Sequence, residues 1–375
     1  MFVELHIIQN VPPSNLNRDD TGSPKDCEFG GFRRGRISSQ SLKRAIRFHP
    51  LMRSVEGATP SYRTKLIGSQ LVARLAERGH PQTDAEGVVK KALAAAGLGK
   101  EDDAKTAILL FINEATLDRI AGILNEHFDD LARSKKDIPP ELLDQIAEAV
   151  AGEVLSPDLA LFGRMIALDT KSALGKKNLN IDAACQVAHA VSTHKVAAEM
   201  DFFTAVDDLQ PEAEVGAGMM GIIDFNSSCF YRYSVVDTRQ LTKNLGGDKG
   251  LARRTLDAFL RASIESLPSE KQNTFAAHTR PSFALFITRK GQPLSLVNAF
   301  EKPVKSKERS GWSVESIRAL DAHYGGLHRI YGSGGEVSRV FFTTEGVKLE
   351  HLGEPAGGVE ECIGRALRAA FDGGD

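Results

Sequence analysis

The sequence predicts an α+β protein built on a split βαβ core of the ferredoxin-like, or RRM-like, kind. Three observations carry that prediction. Runs with strand character stand at the start, middle and end of the chain; amphipathic helices fall between them; and one block, residues 59–156, with helical periodicity, interrupts the core after its first helix.

Residues Phe2 to Gln9 alternate, with Val3, Leu5 and Ile7 set against Glu4 and His6, which reads as a strand with one polar-tolerant face. A polar loop follows, with Pro12-Pro13 and Gly22, Gly30 and Gly31. It ends at Ser38-Ser39, good N-cap residues ahead of Leu42, Ala45 and Ile46. The helical block comprises Tyr62 to Arg78, Ala85 to Ala96, Ala115 to Ala132 and Glu141 to Leu155, punctuated by glycines and Pro139-Pro140. Strand character returns at Leu161 to Leu168, and Ala184 to Val196, strand or helix by periodicity alone, is read as a strand. After an excursion from Glu199 to Gly221, a long alternating strand, Ile222 to Val236, is the clearest of all. A helix at Leu251 to Leu267, a strand at Ser282 to Ile287, a helix at Val314 to Arg329, a strand at Val337 to Thr344 and a helix at Val359 to Phe371 complete the chain. The core order is β, α, helical insert, β, excursion, β, α, β. Such a fold serves many tasks, so function has to come from particular residues.

At 375 residues and 42% hydrophobic composition, the chain can bury one large or two medium cores. It has no run of about 18 apolar residues, and Glu4 and His6 interrupt the start where a signal peptide would be apolar. A cytoplasmic, non-membrane protein is expected. Cys27, Cys185, Cys229 and Cys362 lie too far apart for a zinc motif or a disulfide framework.

The net charge is only −2, so charge speaks through its distribution. From Arg33 to Arg47 the cations Arg33, Arg34, Arg36, Lys43, Arg44 and Arg47 occur with no acid among them. On a helix starting near Ser39, Leu42, Ala45 and Ile46 share one side, while Gln40, Lys43, Arg44 and Arg47 share the other. Unpaired N–H groups at the helix start, with the hydroxyls of Ser38, Ser39 and Ser41, suit phosphate, and the Gly30-Gly31 turn would let a ligand backbone come close. The competing reading is an ordinary solvated helix face.

Two nucleotide motifs fail. Gly30 to Ile37 begins like a P-loop but has Arg36 and Ile37 where Lys and Ser/Thr are needed; Gly216, Gly218 and Gly221 fit G-x-G-x-x-G but lead into a strand. His189 and His194, five residues apart on an extended chain, would face opposite ways and read as structural. Asp19, Asp20 and Asp26 on the polar loop raise the rival of a metal-dependent nuclease, although a lone loop aspartate among cations is more often an ion-pair partner.

The residues Asn17-Arg18-Asp19-Asp20, Lys25-Asp26, Phe29-Gly30-Gly31 and Arg34 to Arg47 carry a family resemblance. So do Gly163-Arg164-Met165, Ala188-His189-Ala190, Thr193-His194, Asp201 to Leu209, Phe230-Tyr231-Arg232-Tyr233 and Asn298 to Lys302. In these motifs, spread in order over most of the chain, the sequence resembles the CasC family, the crRNA-binding backbone subunits of type I-E CRISPR Cascade complexes within the RAMP superfamily. The resemblance implies an RRM-like palm (residues 1–58, 157–196 and 223–375), a helical finger insertion (59–156) and a thumb hairpin (197–222).

It further implies several non-catalytic copies assembling along crRNA and displaying its bases to target DNA in antiviral defence. The partners implied are crRNA, target DNA, further copies of the chain, and the large, small, crRNA-end-capping and crRNA-processing subunits, with no cofactor and no metal. Arg18, Lys25, Ser38, Gln40, Lys43 and Arg47 correspond to palm contacts with the crRNA backbone, and Arg34, Arg36, Ser39 and Arg44 join them on the charge argument. Met165, Phe203 and Thr204 correspond to residues that wedge beside a base, with Phe202 where relatives often carry Trp. From pattern alone Met165, Phe202 and Phe203 read equally well as core residues. Arg133, Lys135 and Lys136, beside the Pro-Pro break, are candidates for touching duplex DNA. The alternatives are an RNA-guided RNA endonuclease of the RAMP superfamily and a lone RNA-binding module.

Overall fold

The computed structural model describes residues 1–99, 105–133, 138–152, 156–166, 174–175, 179–205, 219–306 and 311–373. The chain opens with β1 (Phe2–Ser14), β2 (Asp26–Phe29), β3 (Phe32–Ile37), α1 (Ser39–Arg47) and α2 (Pro50–Arg53). There follow β4 (Ser61–Thr64), α3 (Ile67–Glu77), α4 (Gln82–Ala95), β5 (Leu110–Asn113), α5 (Glu114–Glu126), α6 (Phe128–Arg133), α7 (Pro140–Ala151) and α8 (Pro157–Phe162). Then come β6 (Cys185–Val187), β7 (Ala190–Ser192), β8 (Glu199–Ala205), β9 (Met219–Asp237), α9 (Thr238–Asn244), α10 (Lys249–Glu265) and α11 (Gln272–Phe275). The chain closes with β10 (Phe283–Arg289), a 3₁₀ turn (Val297–Phe300), α12 (Gly311–Tyr331), β11 (Glu336–Thr343) and α13 (Val359–Phe371).

Two compact units result. One comprises Met1–Leu51, Cys185–Thr238 and Leu256–Asp375; the other comprises Met52–Ala184 and Arg239–Thr255.

The first unit is the palm. Its sheet runs β11-β10-β1-β9-β7-β3-β2, with β6 also paired to β9. β1 lies antiparallel between β10 (Phe2↔Arg289 to Ile8↔Phe283) and β9 (Phe2↔Asp237 to Val11↔Ser228), and β9 pairs antiparallel with β6 and β7 on its other edge. Taken in chain order, these core strands have the spatial order 4-1-3-2 of the split βαβ fold, as expected from the sequence.

The face of β1 that carries Glu4 and His6 is not open to solvent, because both faces of the strand are covered. Ile8 packs in a core with Tyr231, Leu285, Phe341 and Ile317 and Leu320 of α12; Leu5 and Ile7 meet Leu42 and Ile46 of α1 around a small gap. Glu4 and His6 are fully buried. Glu4 is tolerated because its carboxylate accepts from Arg289 (2.7 Å), from the Tyr233 hydroxyl (2.9 Å) and from the Leu294 N–H, whereas His6 is partnered at Nδ1 and not at its buried Nε2. The Leu296 N–H donates to the Tyr231 oxygen (3.0 Å), which leaves that hydroxyl's proton to donate to His6 Nδ1 (2.8 Å). His6 is thereby held neutral, and burial drives its pKa down to about 3.

β9 is long enough to serve twice. Its first part, Met219 to Phe225, pairs with β8 alone (Glu199↔Phe225 to Ala205↔Met219) as a hairpin, and its remainder joins the palm sheet.

The second unit is a helical lobe whose core gathers Leu71 and Leu75 of α3, Val88 and Val89 of α4, Ile120 and Leu124 of α5 and Ile146 of α7. A two-stranded ribbon, β4 with β5, delays the expected first helix of the lobe to Ile67, and the expected helix over Ala115 to Ala132 is divided at His127. The expected strand at Leu161 to Leu168 is instead α8 as far as Phe162, followed by a bridge between Arg164 and Ile181; residues 167–168 lie outside the described residues. Pro157 at the first helical position and Ser156 before it start that helix, and a buried apolar run such as Leu159-Ala160-Leu161 has no period to distinguish strand from helix. The expected strand over Ala184 to Val196 is broken into β6 and β7.

Candidate nucleic-acid interface

The polar loop expected before α1 contains a β-hairpin. Phe29 pairs with Phe32 across a two-residue turn, and Gly30 (φ +62°) and Gly31 (φ +78°) both occupy the left-handed region that such a turn requires. A Cβ on Gly30 would collide with the Glu301 carbonyl. That glycine therefore serves packing within the chain, not the approach of a ligand.

β3 feeds directly into α1. Ser38 is the N-cap; its side chain accepts from the Ser41 N–H (3.3 Å), and its own N–H donates to Asn17 Oδ1 (2.9 Å). The Leu42 N–H bonds the Ser38 carbonyl (3.1 Å), and the Ser39 N–H donates to His189 Nδ1 (3.2 Å). The N–H groups of Ser38, Ser39 and Ser41, expected to be free for phosphate, are thus taken up by the protein. Ser38 is buried and acts as a cap; Ser39 is half-buried.

The expected cations separate into three groups. Arg34 is fully buried and is corrected from phosphate contact to internal strut. Its guanidinium donates to the carbonyls of Ser192 (2.9 Å), Phe300 (2.8 Å) and Glu301 (3.2 Å), tying β3 to β7 and the 3₁₀ turn. Along the strand side, Arg36 donates through Nε to the Asp26 carbonyl (3.1 Å) and through Nη1 to His189 Nδ1 (3.3 Å). Lys25 is close enough for its charge to act on His189. Arg33 is exposed and paired with Asp26 (2.6 Å).

On α1, Leu42 and Ile46 are buried as expected, Gln40 and Arg44 are exposed, and Lys43 and Arg47 are half-buried. Lys43 lies on the flank toward Cys185 of β6, where its charge acts on the thiol. Arg44 turns instead to a groove of about 490 Å³ shared with Glu265, His278 and Arg280. The helix thus splits cations that the sequence put on one face. Arg44 also lies over the exposed ring of Phe48 (5.0 Å). Arg18 is exposed and paired with Glu270 (3.4 Å).

Of the loop carboxylates, Asp26 is engaged by Arg33 and Asp19 by its own turn. Asp19 Oδ1 accepts from the Thr21 hydroxyl (2.7 Å) and N–H (2.9 Å) and the Ser23 N–H (3.0 Å), and the Thr21 hydroxyl leads the effects holding its carboxyl below the usual range. His194 is structural: buried, stacked on Trp312 (ring centroids 4.1 Å apart), with Nδ1 on the Lys195 carbonyl and Nε2 accepting from the Cys229 N–H (3.1 Å). His189 departs from that expectation and joins the α1 site.

The β8–β9 hairpin places side chains differently. Alternation sets Met200, Phe202 and Thr204 on one face, opposite Met220 and Ile222 across the pair, and all five are exposed, Phe202 by 62%. Phe203 points to the other face and is half-buried, its ring lying against Gly221 where a Cβ would collide. The two phenylalanines are therefore not equivalent. Asp207, Asp208, Gly216 and Gly218 lie outside the described residues.

In the helical lobe, Met165 is 90% exposed, which excludes the core reading. Its neighbours are fixed. Arg164 exchanges two backbone bonds with Ile181 (3.0 and 2.8 Å) and sends its buried guanidinium to the carbonyl of Leu179 (2.9 Å), while the Ile166 N–H donates to Asn180 Oδ1 (2.7 Å). Arg133 is exposed at the end of α6; Lys135 and Lys136 lie outside the described residues.

A ferredoxin-like palm, interrupted in sequence by a helical lobe and extended by a hairpin, matches Cas7-like RAMP subunits in fold. The chain belongs to the CT1975-like protein family, whose profile it matches over residues 3–365. It is similar to a chain of a solved CRISPR RNA-guided surveillance complex in a pre-nicking state, at 33% identity and a TM-score of 0.88 over 99% of this chain and 100% of that one. It is also similar to a chain of another CRISPR RNA-guided surveillance complex, at 27% identity and a TM-score of 0.78 with the same coverage. No curated protein matches it. Among the described residues no helix is long and apolar enough to cross a membrane.

Proposed function

We propose that this chain is the crRNA-binding backbone subunit of a type I-E CRISPR Cascade complex. Several copies assemble along one crRNA, hold its phosphates and present its bases to target DNA without cleaving either strand. The observation that carries this reading is that Lys25, Arg36 of β3 and Lys43 of α1 stand on the β6–β7 flank of the same unit that bears the exposed hairpin face. Cations hold phosphates without reading sequence, and exposed Phe202, Met220 and Ile222 interrupt base stacking without requiring base identity. A subunit that accepts any guide needs both. Full-length likeness to chains of RNA-guided surveillance complexes supports the same assignment.

The non-catalytic part of the reading draws on the loop carboxylates: Asp26 is bound to Arg33 and Asp19 to its own turn. Incubating the assembled chain with guide, complementary RNA and magnesium tests it. Intact target is expected. Periodic cleavage that disappears in Asp26→Ala would make the protein an RNA endonuclease instead.

A further inference from the structure

His189 occupies the two-residue break between β6 and β7, and its ring meets the start of α1. Two donors converge on its Nδ1, the N–H of Ser39 (3.2 Å) and Nη1 of Arg36 (3.3 Å). A backbone N–H and a guanidinium can only donate, so Nδ1 must be the bare nitrogen, and in the neutral ring the proton resides on Nε2. The ring is exposed, and Nε2 lies on the side away from the two donors. Donation into Nδ1 withdraws electron density from the ring and sharpens Nε2–H as a donor. Partial burial, then the charges of Arg36 and Lys25, hold the ring below the usual histidine range.

From this geometry we propose that His189 is a phosphate-binding residue of the RNA site: a neutral N–H donor that passes outward, through its ring, the hydrogen bond it takes from the Ser39 N–H at the start of α1. It binds the non-bridging oxygen of a backbone phosphate held between Arg36 and Lys25. The proposal rests on the RNA-holding reading and adds a member that differs in kind from the cations. A cation that neutralises a phosphate releases counterions and steepens the salt dependence of binding; a neutral donor contributes affinity and leaves that slope alone.

Two substitutions separate the ring's two nitrogens. His189→Asn puts an amide oxygen near the Nδ1 position, keeping the acceptor for Ser39 and Arg36 and removing the outer donor. His189→Gln places an amide N–H near the Nε2 position. With polyuridine as probe in a salt series at pH 8, His189→Asn should bind about tenfold more weakly, as expected for one hydrogen bond to a charged oxygen, with the wild-type log–log slope. His189→Gln should recover part of that loss.

In ¹⁵N-histidine-labelled chain, the His189 shifts should report Nδ1 unprotonated and Nε2 protonated with and without RNA, a readout independent of variant folding. Wild-type affinity in His189→Asn, a reduced slope in that variant, or a doubly protonated ring in the complex would each overturn the proposal. Wild-type chain that binds polyuridine with no salt dependence would instead overturn the RNA-holding reading, and this proposal with it.

Discussion

In the segment from β2 to α1, polar groups are fastened to the protein: Ser38 to Asn17 and Ser41, Ser39 and Arg36 to His189, Arg33 to Asp26, Arg34 to three carbonyls. On the outward face of the β8–β9 hairpin, Met200, Phe202, Met220 and Ile222 are exposed apolar side chains on a ribbon only two strands wide. A phosphate chain needs charges held in fixed places, because each lysine or arginine left free would lose side-chain entropy on binding. A stack of bases is parted by a side chain that nothing else covers. The contrast teaches that one fold can separate gripping from spacing, and that the two regions should fail in different assays.

The largest effect should come from the residue that looks most like a gripping cation and is not one. Arg34→Ala strands three carbonyls in the interior and should cost about 3 kcal/mol or more of stability, measurable by denaturant unfolding. If the variant unfolds like wild type and loses salt-dependent RNA binding instead, the division between strut and grip breaks.

The palm interior should also resist charge. His6 has its pKa lowered to about 3 by burial, so the unfolded chain binds a proton that the folded one excludes between about pH 6.5 and 3. Its contribution is intact above pH 6.5 and falls as the pH drops, by about 1.4 kcal/mol per unit. Unfolding of wild type and His6→Asn across pH 7 to 5 should show a shallower decline in the variant; parallel curves would mean that His6 is already charged in the fold.

Smaller and sharper is the change expected at Lys43. Its replacement by Ala should weaken binding of all RNA sequences alike and lower the log–log salt slope by about 0.7 per copy, with stability nearly unchanged. An unchanged slope would place Lys43 toward bulk solvent. Smallest in energy is Phe202→Ala, within about 0.5 kcal/mol of wild type in stability because the ring is mostly exposed. It should leave the salt slope alone and remove the periodic base exposure seen by chemical probing of bound RNA. Phe203→Ala, which uncovers Gly221, should instead loosen the hairpin.

Much of this contrast was legible in the sequence, unevenly. The alternation from Ile222 to Val236 and the caps and periodicity around Leu42 and Ile46 are local signals, and they located β9 and α1. Charge alone could not distinguish Arg34 from Arg36, because burial of one is decided by carbonyls from residues 192, 300 and 301, far away in the chain. Nor could it show Lys43 and Arg44 turning to different flanks. Leu159 to Leu161 misled for a related reason, since a wholly buried run carries no period. Met165 was legible as a site residue only through the family resemblance, and His189 was read as structural: the exposure of one and the tautomer of the other are set by partners at Asn180, Ile181, Ser39 and Arg36.

The central claim is that one chain grips RNA and that further copies repeat the grip along it. Counting the copies bound to RNAs of increasing length, by mass measurement of single complexes, tests it most directly. Copies should be added stepwise at a constant interval of nucleotides. A single copy bound at every length would contradict it.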